Sequence, residues 1–186
     1  MSRVCVYIAC SLDGFIAGAD DDLSWLPGAD GSTSDGEMDR DEGAVGFEEF
    51  MADVGALLMG RRTYDAVAGF GGDWPYGDRP VLVATHRPID AAVDSVRAVS
   101  GDIGQLVAQA RDAAQGKTVY LDGGNLIRQA LDAGLIDELI VTFAPIILGQ
   151  GHSLFTGVTK RHALTIVGHH RYGSMLQLHA RPARKA

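Results

Sequence analysis

Three short stretches of this chain place anion-binding chemistry where strands are expected to end. "MGRRTY", residues 59–64, follows the apolar run Val54, Gly55, Ala56, Leu57, Leu58 and sets Gly60, Arg61, Arg62 and Thr63 at the start of a helix. Free N–H groups at a helix start favour an anion, a glycine lets backbone approach closely, and a guanidinium offers a planar donor fork suited to phosphate. "VATHRP" closes a second apolar run with Thr85, His86 and Arg87, a hydroxyl, an imidazole and a guanidinium in a row before Pro88. "YLDGGN" puts Gly123 and Gly124 between a strand and a helix, with Asn125 and Leu126 in the first turn, the usual way of cradling a pyrophosphate. Each stretch alone is more often an ordinary surface turn, and neither the G-x-G-x-x-G fingerprint nor the G-x-x-x-x-G-K-[ST] loop is present. Together, at three strand exits, they describe a site for a dinucleotide bearing a pyrophosphate and a further phosphate.

The elements that must position these groups follow from periodicity. Residues 3–9, "RVCVYIA", read as a buried strand, and "CSLDGFIAGADDDLSWLPG" leaves the sheet as a loop. Residues 28–43 are small, polar and acidic and form the best candidate for a mobile loop. Phe47, Phe50, Met51 and Val54 share one helical face, and strand "ALLMG" and helix "RTYDAVAGF" follow. "RPVLVAT" and, more weakly, "SVRAVS" read as strands. Residues 102–115 form a helix with Asp102 as N-cap, and "KTVYLDGG" runs into helix "NLIRQALDAG", which Gly134 stops. "DELIVTFAPIILGQG" is read as one strand, and "ALTIVGHHRYGSMLQLHA" as an antiparallel pair turning near Tyr172, Gly173 and Ser174. This βαβα alternation with an all-β ending predicts an α/β architecture, a mixed sheet flanked by helices.

Bulk properties narrow the function classes. A chain of 186 residues fits one domain, and mean hydropathy of +0.05 suits a globular core. No apolar run reaches the length of a membrane helix, and Asp13 interrupts the N-terminus too early for a signal peptide, so a cytoplasmic protein is expected. Net charge of -8 argues against sequence-independent nucleic-acid binding, despite a basic tail at about 181–186. Cys5 and Cys10 have odd spacing along a strand and point to opposite faces, so neither a disulfide nor a metal site is expected.

In order along the chain, "IACSLDGFIAG", "LLMGRRTYD", "VYLDGGNLIRQAL" and "DELIVTFAPIILGQGHSLF" resemble the dihydrofolate reductase-like superfamily. The nearest likeness is to the branch of the C-terminal reductase domain of the bifunctional riboflavin-biosynthesis deaminase-reductase, from Val4 to about Leu178. The resemblance implies a three-layer α/β/α fold with a mainly parallel sheet and antiparallel C-terminal strands. It also implies an NADPH-dependent reductase that transfers a hydride to a pteridine- or pyrimidine-type heterocycle. Carried over by residue, Arg61, Arg62 and Thr63 would meet the 2′-phosphate and pyrophosphate side, Thr85, His86 and Arg87 would complete the 2′-phosphate pocket, and Gly123, Gly124, Asn125 and Leu126 would hold the pyrophosphate. Ala9 and Ile16 would line the nicotinamide, Asp13 and Gly14 would shape the loop beside it, and "LSWLPG" resembles a Trp-containing segment that closes over the site.

The superfamily's acidic residue near the start of the helix after that Trp loop has no single counterpart. Glu48 and Glu49 are the nearest carboxylates on that helix, which makes Asp13 and Glu48 the candidate catalytic pair. The zinc deaminase signature H-x-E with P-C-x-x-C is absent, so only the reductase half is expected. Arginine at two strand exits predicts NADPH rather than NADH, because a 2′-phosphate needs cationic partners. The alternative is an NADP(H)-binding module on the same fold without turnover. The apolar "LIVTFAPIIL" and the C-terminal strands predict a homodimer, since they offer more strand surface than one sheet edge safely leaves open.

Overall fold

Strands covered by helices on both faces must be apolar along their whole length, and the central segments of this chain meet that demand. Ala56, Leu57, Leu58 and Met59 are each fully buried, as are Val81, Leu82 and Val83. The computed structural model describes residues 1–26, 39–70, 73–91 and 93–183. In chain order the elements are β1 (Val4–Ser11), β2 (Phe15–Ala17), α1 (Phe47–Ala52), β3 (Val54–Gly60), α2 (Arg61–Gly69), β4 (Val81–Ala84), β5 (Val96–Val99), α3 (Ile103–Ala113), β6 (Thr118–Asp122), α4 (Gly124–Asp132), β7 (Glu138–Ala144), β8 (His152–Ser153), β9 (Leu164–Tyr172) and β10 (Met175–Pro182).

Eight strands form one sheet in the order β5-β4-β3-β6-β1-β7-β10-β9. Pairing is parallel from β5 through β7, and antiparallel where β10 meets β7 and β9 meets β10. Side-chain alternation divides the core in two. Val4, Val6, Leu58 and Leu121 pack on one face against Leu106 and Val107 of α3 and Ile127 and Leu131 of α4. Cys5, Leu57, Met59 and Tyr120 pack on the other against Phe50 and Met51 of α1 and Tyr64 of α2. The result is a three-layer α/β/α arrangement, with Cys5 and Cys10 free, buried and on opposite faces.

The structure departs from the sequence reading at four places. Helix α1 ends at Ala52, not Val54: Val54 is buried as the first residue of β3, in register with Thr118 of β6. Strand β7 stops at Ala144 because Pro145 has no N–H to give the ladder. The small ribbon of β2 with β8 has three residues in β2 and two in β8, too short for any periodicity to reveal it. The basic tail begins later than read, since Arg181 and Pro182 close β10 and Arg181 pairs with Glu138 at 3.5 Å. Most of the loop expected at 28–43 lies outside the described residues. Its described end is anchored to the β9–β10 turn, where Asp41 N donates to Arg171 O at 3.0 Å and Gly173 N to Asp39 O at 2.7 Å.

One buried polar residue fixes how α1 approaches the sheet. Gln177 of β10, fully buried, accepts from Val45 N at 2.8 Å and donates to Val45 O at 3.0 Å and Thr142 Oγ1 at 3.3 Å. It therefore satisfies both backbone groups of the residue leading into α1, which no strand neighbour could do.

Candidate active site

Parallel pairing brings the carboxyl ends of β3, β6, β1 and β7 to one edge of the sheet, where ligands of open α/β sheets bind. The glycine exits of β3 and β6 stand side by side: a Cβ added at Gly123 would lie 2.6 Å from Thr63 Oγ1 and 3.5 Å from Gly60 N. Gly123 has φ +95°, a conformation that only glycine adopts without strain. A Cβ at Gly60 would meet nothing within 4 Å, so the start of α2 opens onto free space. Helix α3 carries a full capping box from Asp102 and Gln105, whereas α2 and α4 begin at glycines with no side-chain cap. Their first N–H groups are thereby left for an anion.

The cationic residues gather on this side of the crevice. Arg61 is committed within the protein: Nε donates to Asp65 Oδ1 at 2.7 Å and Nη1 to Pro88 O at 2.9 Å, which ties α2 to the exit of β4. Arg62 is the freer of the two, with 69% of its side chain exposed. Arg62 Nη1 donates to His152 Nδ1 at 3.2 Å, which leaves His152 Nε2 to donate to Asp21 Oδ1 at 2.9 Å. At the exit of β4, His86 and Arg87 are exposed, and Arg87 N donates to Thr85 Oγ1 at 3.1 Å, closing that turn.

Strand β8 closes the crevice above α4. Ser153 O accepts from Arg128 Nη1 at 2.6 Å, and a Cβ at Gly124 would lie 3.1 Å from Ile16 Cδ1 and 3.2 Å from Ser153 O. Gly124 and Ile16 therefore meet, with Asn125 exposed at the mouth. The Leu126 side chain is buried in the core, so only its backbone faces a ligand. The loops are held by Asp13, whose carboxylate accepts from Leu148 N at 3.1 Å, Gly149 N at 2.7 Å and Ser11 Oγ at 2.6 Å. These bonds, led by that of Ser11, hold its pKa below the usual carboxylate value.

The other side of the crevice lies on the α1 face of the sheet. Alternation places Tyr7, Ala9 and Ser11 of β1 there, beside Thr142 and Ala144 of β7, which are paired in register with Ala9 and Ser11. Tyr7 stacks on Phe50 at 4.7 Å between ring centroids and donates to Val45 O at 3.0 Å. Trp25 packs beyond them against Ala44, Ala144, Tyr172 and Met175. Asp122, the last residue of β6, stands at this face; its Oδ1 accepts from Gly123 N at 2.7 Å and its Oδ2 from Tyr120 Oη at 3.3 Å. Burial pushes the Asp122 carboxyl up to about 6, against the opposing pull of those two donors.

Asp122 and His152 were missed in the sequence reading. The signal for Asp122 was a carboxylate set between an apolar strand and paired glycines; nothing local marked His152. Glu48, by contrast, is exposed in the first turn of α1, and Glu49 pairs with Arg40 at 3.7 Å. A cavity of about 270 Å³ lies at the opposite edge of the sheet, among Arg3, Glu49, Asp53, Thr118, Glu138 and His179. Arg3 already joins Asp53 at 3.1 Å and Glu138 at 3.3 Å there. Among the described residues no group of three or more His, Cys, Asp or Glu side chains could hold a metal ion, and no helix is long and apolar enough to cross a membrane.

Residues 74–178 match the family of the RibD C-terminal domain. The chain belongs to that family. Its fold is shared over nearly all of both chains with a putative riboflavin biosynthesis protein from Shewanella sp. PV-4, at 31% identity and TM-score 0.81, covering 98% of this chain and 99% of that one. A deaminase/5-amino-6-(5-phosphoribosylamino)uracil reductase from Thermotoga maritima matches at 16% identity and TM-score 0.67, over 98% of this chain and 57% of that one. Dihydrofolate reductase from Enterococcus faecalis, complexed with NADP(H), matches at 15% identity and TM-score 0.59, over 98% and 97%. The RibD C-terminal domain chain therefore has the dihydrofolate reductase-like fold.

The Asp13 contacts yield a direct check. Asp13→Ala is expected to speed amide hydrogen exchange at Leu148 and Gly149 by about tenfold or more while core amides keep their protection. Unchanged exchange at those two amides would show that the loop is held by something else.

Proposed function

We propose that the protein is an NADPH-dependent reductase that transfers a hydride to a pteridine- or pyrimidine-type heterocycle, with Asp122 supplying the proton. The observation that carries this reading is a half-buried carboxyl beside two uncapped helix starts at one sheet edge. In it, the exits of β3 and β4 take the 2′-phosphate and pyrophosphate side through Gly60, Arg61, Arg62, Thr63, Thr85, His86 and Arg87. Gly124, Asn125 and Leu126 hold the pyrophosphate by backbone N–H groups, Gly123 lets it approach closely while its own N–H stays on Asp122, and Ala9 and Ile16 line the nicotinamide. Support comes from the Gly60 and Gly123 cradle, which a Cβ at Gly123 would fill, and from the NADP(H) bound by the Enterococcus reductase of the same fold.

When bound, NADPH supplies the hydride. The chain's own residues orient the ring and move the proton. As the carbon of a ring C=N bond accepts the hydride, the nitrogen takes the electron pair and the Asp122 proton. The carboxylate left behind is stabilised by the Gly123 N–H, and by the Tyr120 hydroxyl when its one proton turns from Tyr7 O at 2.9 Å to Asp122 Oδ2 at 3.3 Å, until solvent returns a proton. Burial raises the Tyr120 pKa well above its ordinary value, so its hydroxyl remains a donor throughout. Asp13 shapes the loop beside the ring through Leu148 and Gly149, and Glu48 has no part in the proton transfer.

The chain pairs with a second copy through its C-terminal edge. Leu164, Ile166, Val167 and Leu176 are 42–52% exposed on β9 and β10, and β9 ends the sheet. Light scattering at micromolar concentration is expected to give twice the 19.7 kDa chain mass, and a monomer mass would refute the pairing.

Thermal shift is expected to show stronger stabilisation by NADPH than by NADH at equal concentration. Arg62→Ala should weaken NADPH about 10- to 100-fold while leaving NADH nearly unchanged. Equal stabilisation by both cofactors would remove the assigned role of the arginines, and binding without oxidation over a panel of heterocycles would leave a non-catalytic module.

The proton donor has a pH signature. An acid must be protonated to act, so kcat/KM should fall as pH rises through about 6, and Asp122→Asn should abolish that limb and lower kcat by about 100-fold or more. Stability gives a second readout. A carboxyl with a raised folded pKa contributes stability in full below its unfolded value of about 3.9 and loses it as pH rises through about 6. Urea melts of Asp122→Asn should lose that part of the pH dependence, and an unaltered pH profile for the variant would sink the assignment.

A further inference from the structure

Three polar side chains from separate elements meet beside the starts of α2 and α4. His152 of β8 precedes Ser153, whose carbonyl would lie 3.2 Å from a Cβ at Gly124, so β8 brings His152 to the start of α4. Arg62 reaches it from the first turn of α2, with Nη1 3.2 Å from His152 Nδ1. Asp21, in the turn after β2, completes the group: its Oδ1 accepts from His152 Nε2 at 2.9 Å and lies 3.8 Å from Arg62 Nε. One carboxylate oxygen therefore sits between an imidazole and a guanidinium, next to two helix starts that have no side-chain cap.

The turn that presents Asp21 is one the backbone disfavours. Asp20 and Asp21 have φ of +56° and +61°, a left-handed conformation that two successive residues other than glycine rarely adopt. Among the described residues the Asp21 carboxylate pairs with Arg62 and His152 and with no other cation. The other charged groups around His152 are engaged elsewhere or exposed. Arg61 is held by Asp65 and Pro88 O, Arg128 of α4 donates to Ser153 O, Asp22 accepts from Ser24 N at 3.0 Å, and Asp20 faces solvent. An N–H donated by Arg62 to His152 Nδ1 requires that nitrogen to be bare, so His152 is neutral in this arrangement.

We propose that Asp21 stands in for a phosphate of the dinucleotide: on binding, the phosphate takes its place between Arg62 and His152, and His152 takes up a proton from solvent. This rests on the reductase reading and adds a built-in competitor to its cofactor site. The pairs that Asp21 makes are exposed and so cheaply exchanged. A phosphate offers more acceptor oxygens than one carboxylate, and the free N–H groups of the helix starts favour it further. As Arg62 turns to the phosphate it leaves His152 Nδ1, and the negative ligand favours a proton on that nitrogen. Release of Asp21 lets its turn relax. Affinity for the cofactor should therefore fall as pH rises through the range in which histidine titrates.

Titration calorimetry with NADPH, run at about pH 7 in two buffers of different ionisation enthalpy, reads affinity and proton uptake together. The unaltered protein is expected to take up protons as NADPH binds. His152→Gln keeps a donor but cannot be protonated, so it should lose that uptake and bind about tenfold more weakly. Asp21→Asn removes the competing charge and should bind NADPH about two- to fivefold more tightly. Binding by Asp21→Asn that is no tighter, or proton uptake that persists in His152→Gln, overturns the exchange. Failure of the unaltered protein to bind NADPH would instead overturn the reductase reading beneath it.

Discussion

The structure depends on one constraint: parallel strands covered on both faces leave no place for polar chemistry within the sheet. From Ala56 to Met59 and from Val81 to Val83 the chain is fully buried, so every group that could hold a ligand is displaced to a strand end. Parallel pairing then sends those ends the same way. Gly60, Ala84, Asp122 and Ala144 all finish at one edge, and the starts of α2 and α4 follow directly there. An acidic chain can thereby keep a local cluster of arginines, because the cluster is assembled from strand ends far apart in sequence.

Side-chain alternation imposes the second division. On β6, Leu121 belongs to the core beneath α3 and α4, while Tyr120 and Asp122 face α1. A single step along the strand separates a core side chain from a carboxyl of raised proton affinity. The environment of Asp122 follows from that position: the sheet and the aromatic cluster of Tyr7, Phe50 and Tyr120 withdraw water, which disfavours the charged form. The same aromatic cluster packs α1 to the sheet, so stability and proton affinity share one cause.

Two polar clasps decide how the loops and α1 sit over this edge. Asp13 binds the amides of Leu148 and Gly149, joining segments 135 residues apart, and buried Gln177 satisfies both backbone groups of Val45. Each replaces water with a specific partner at a place where no ladder or helix could supply one. The small β2 and β8 ribbon depends on the first of these clasps, and through it Ser153 and His152 come over the start of α4.

The architecture was legible because its signals are local. The apolar runs of β3, β4 and β6, the helical face of Leu106, Val107 and Ala110, the Asp102 cap and the Gly134 stop each arise from a few neighbouring residues. The three candidate anion exits could be read for the same reason, as glycine and arginine set between a strand and a helix. Sequence alone also determined the resemblance to the family. Tertiary structure decided the rest. It made Asp13 a loop clasp, left Glu48 in solvent, turned Arg61 onto Pro88 while leaving Arg62 open, and gave Asp122 a raised proton affinity. Those outcomes depend on burial and on partners 27 to 136 residues away in the chain, which spacing along a strand or helix does not encode.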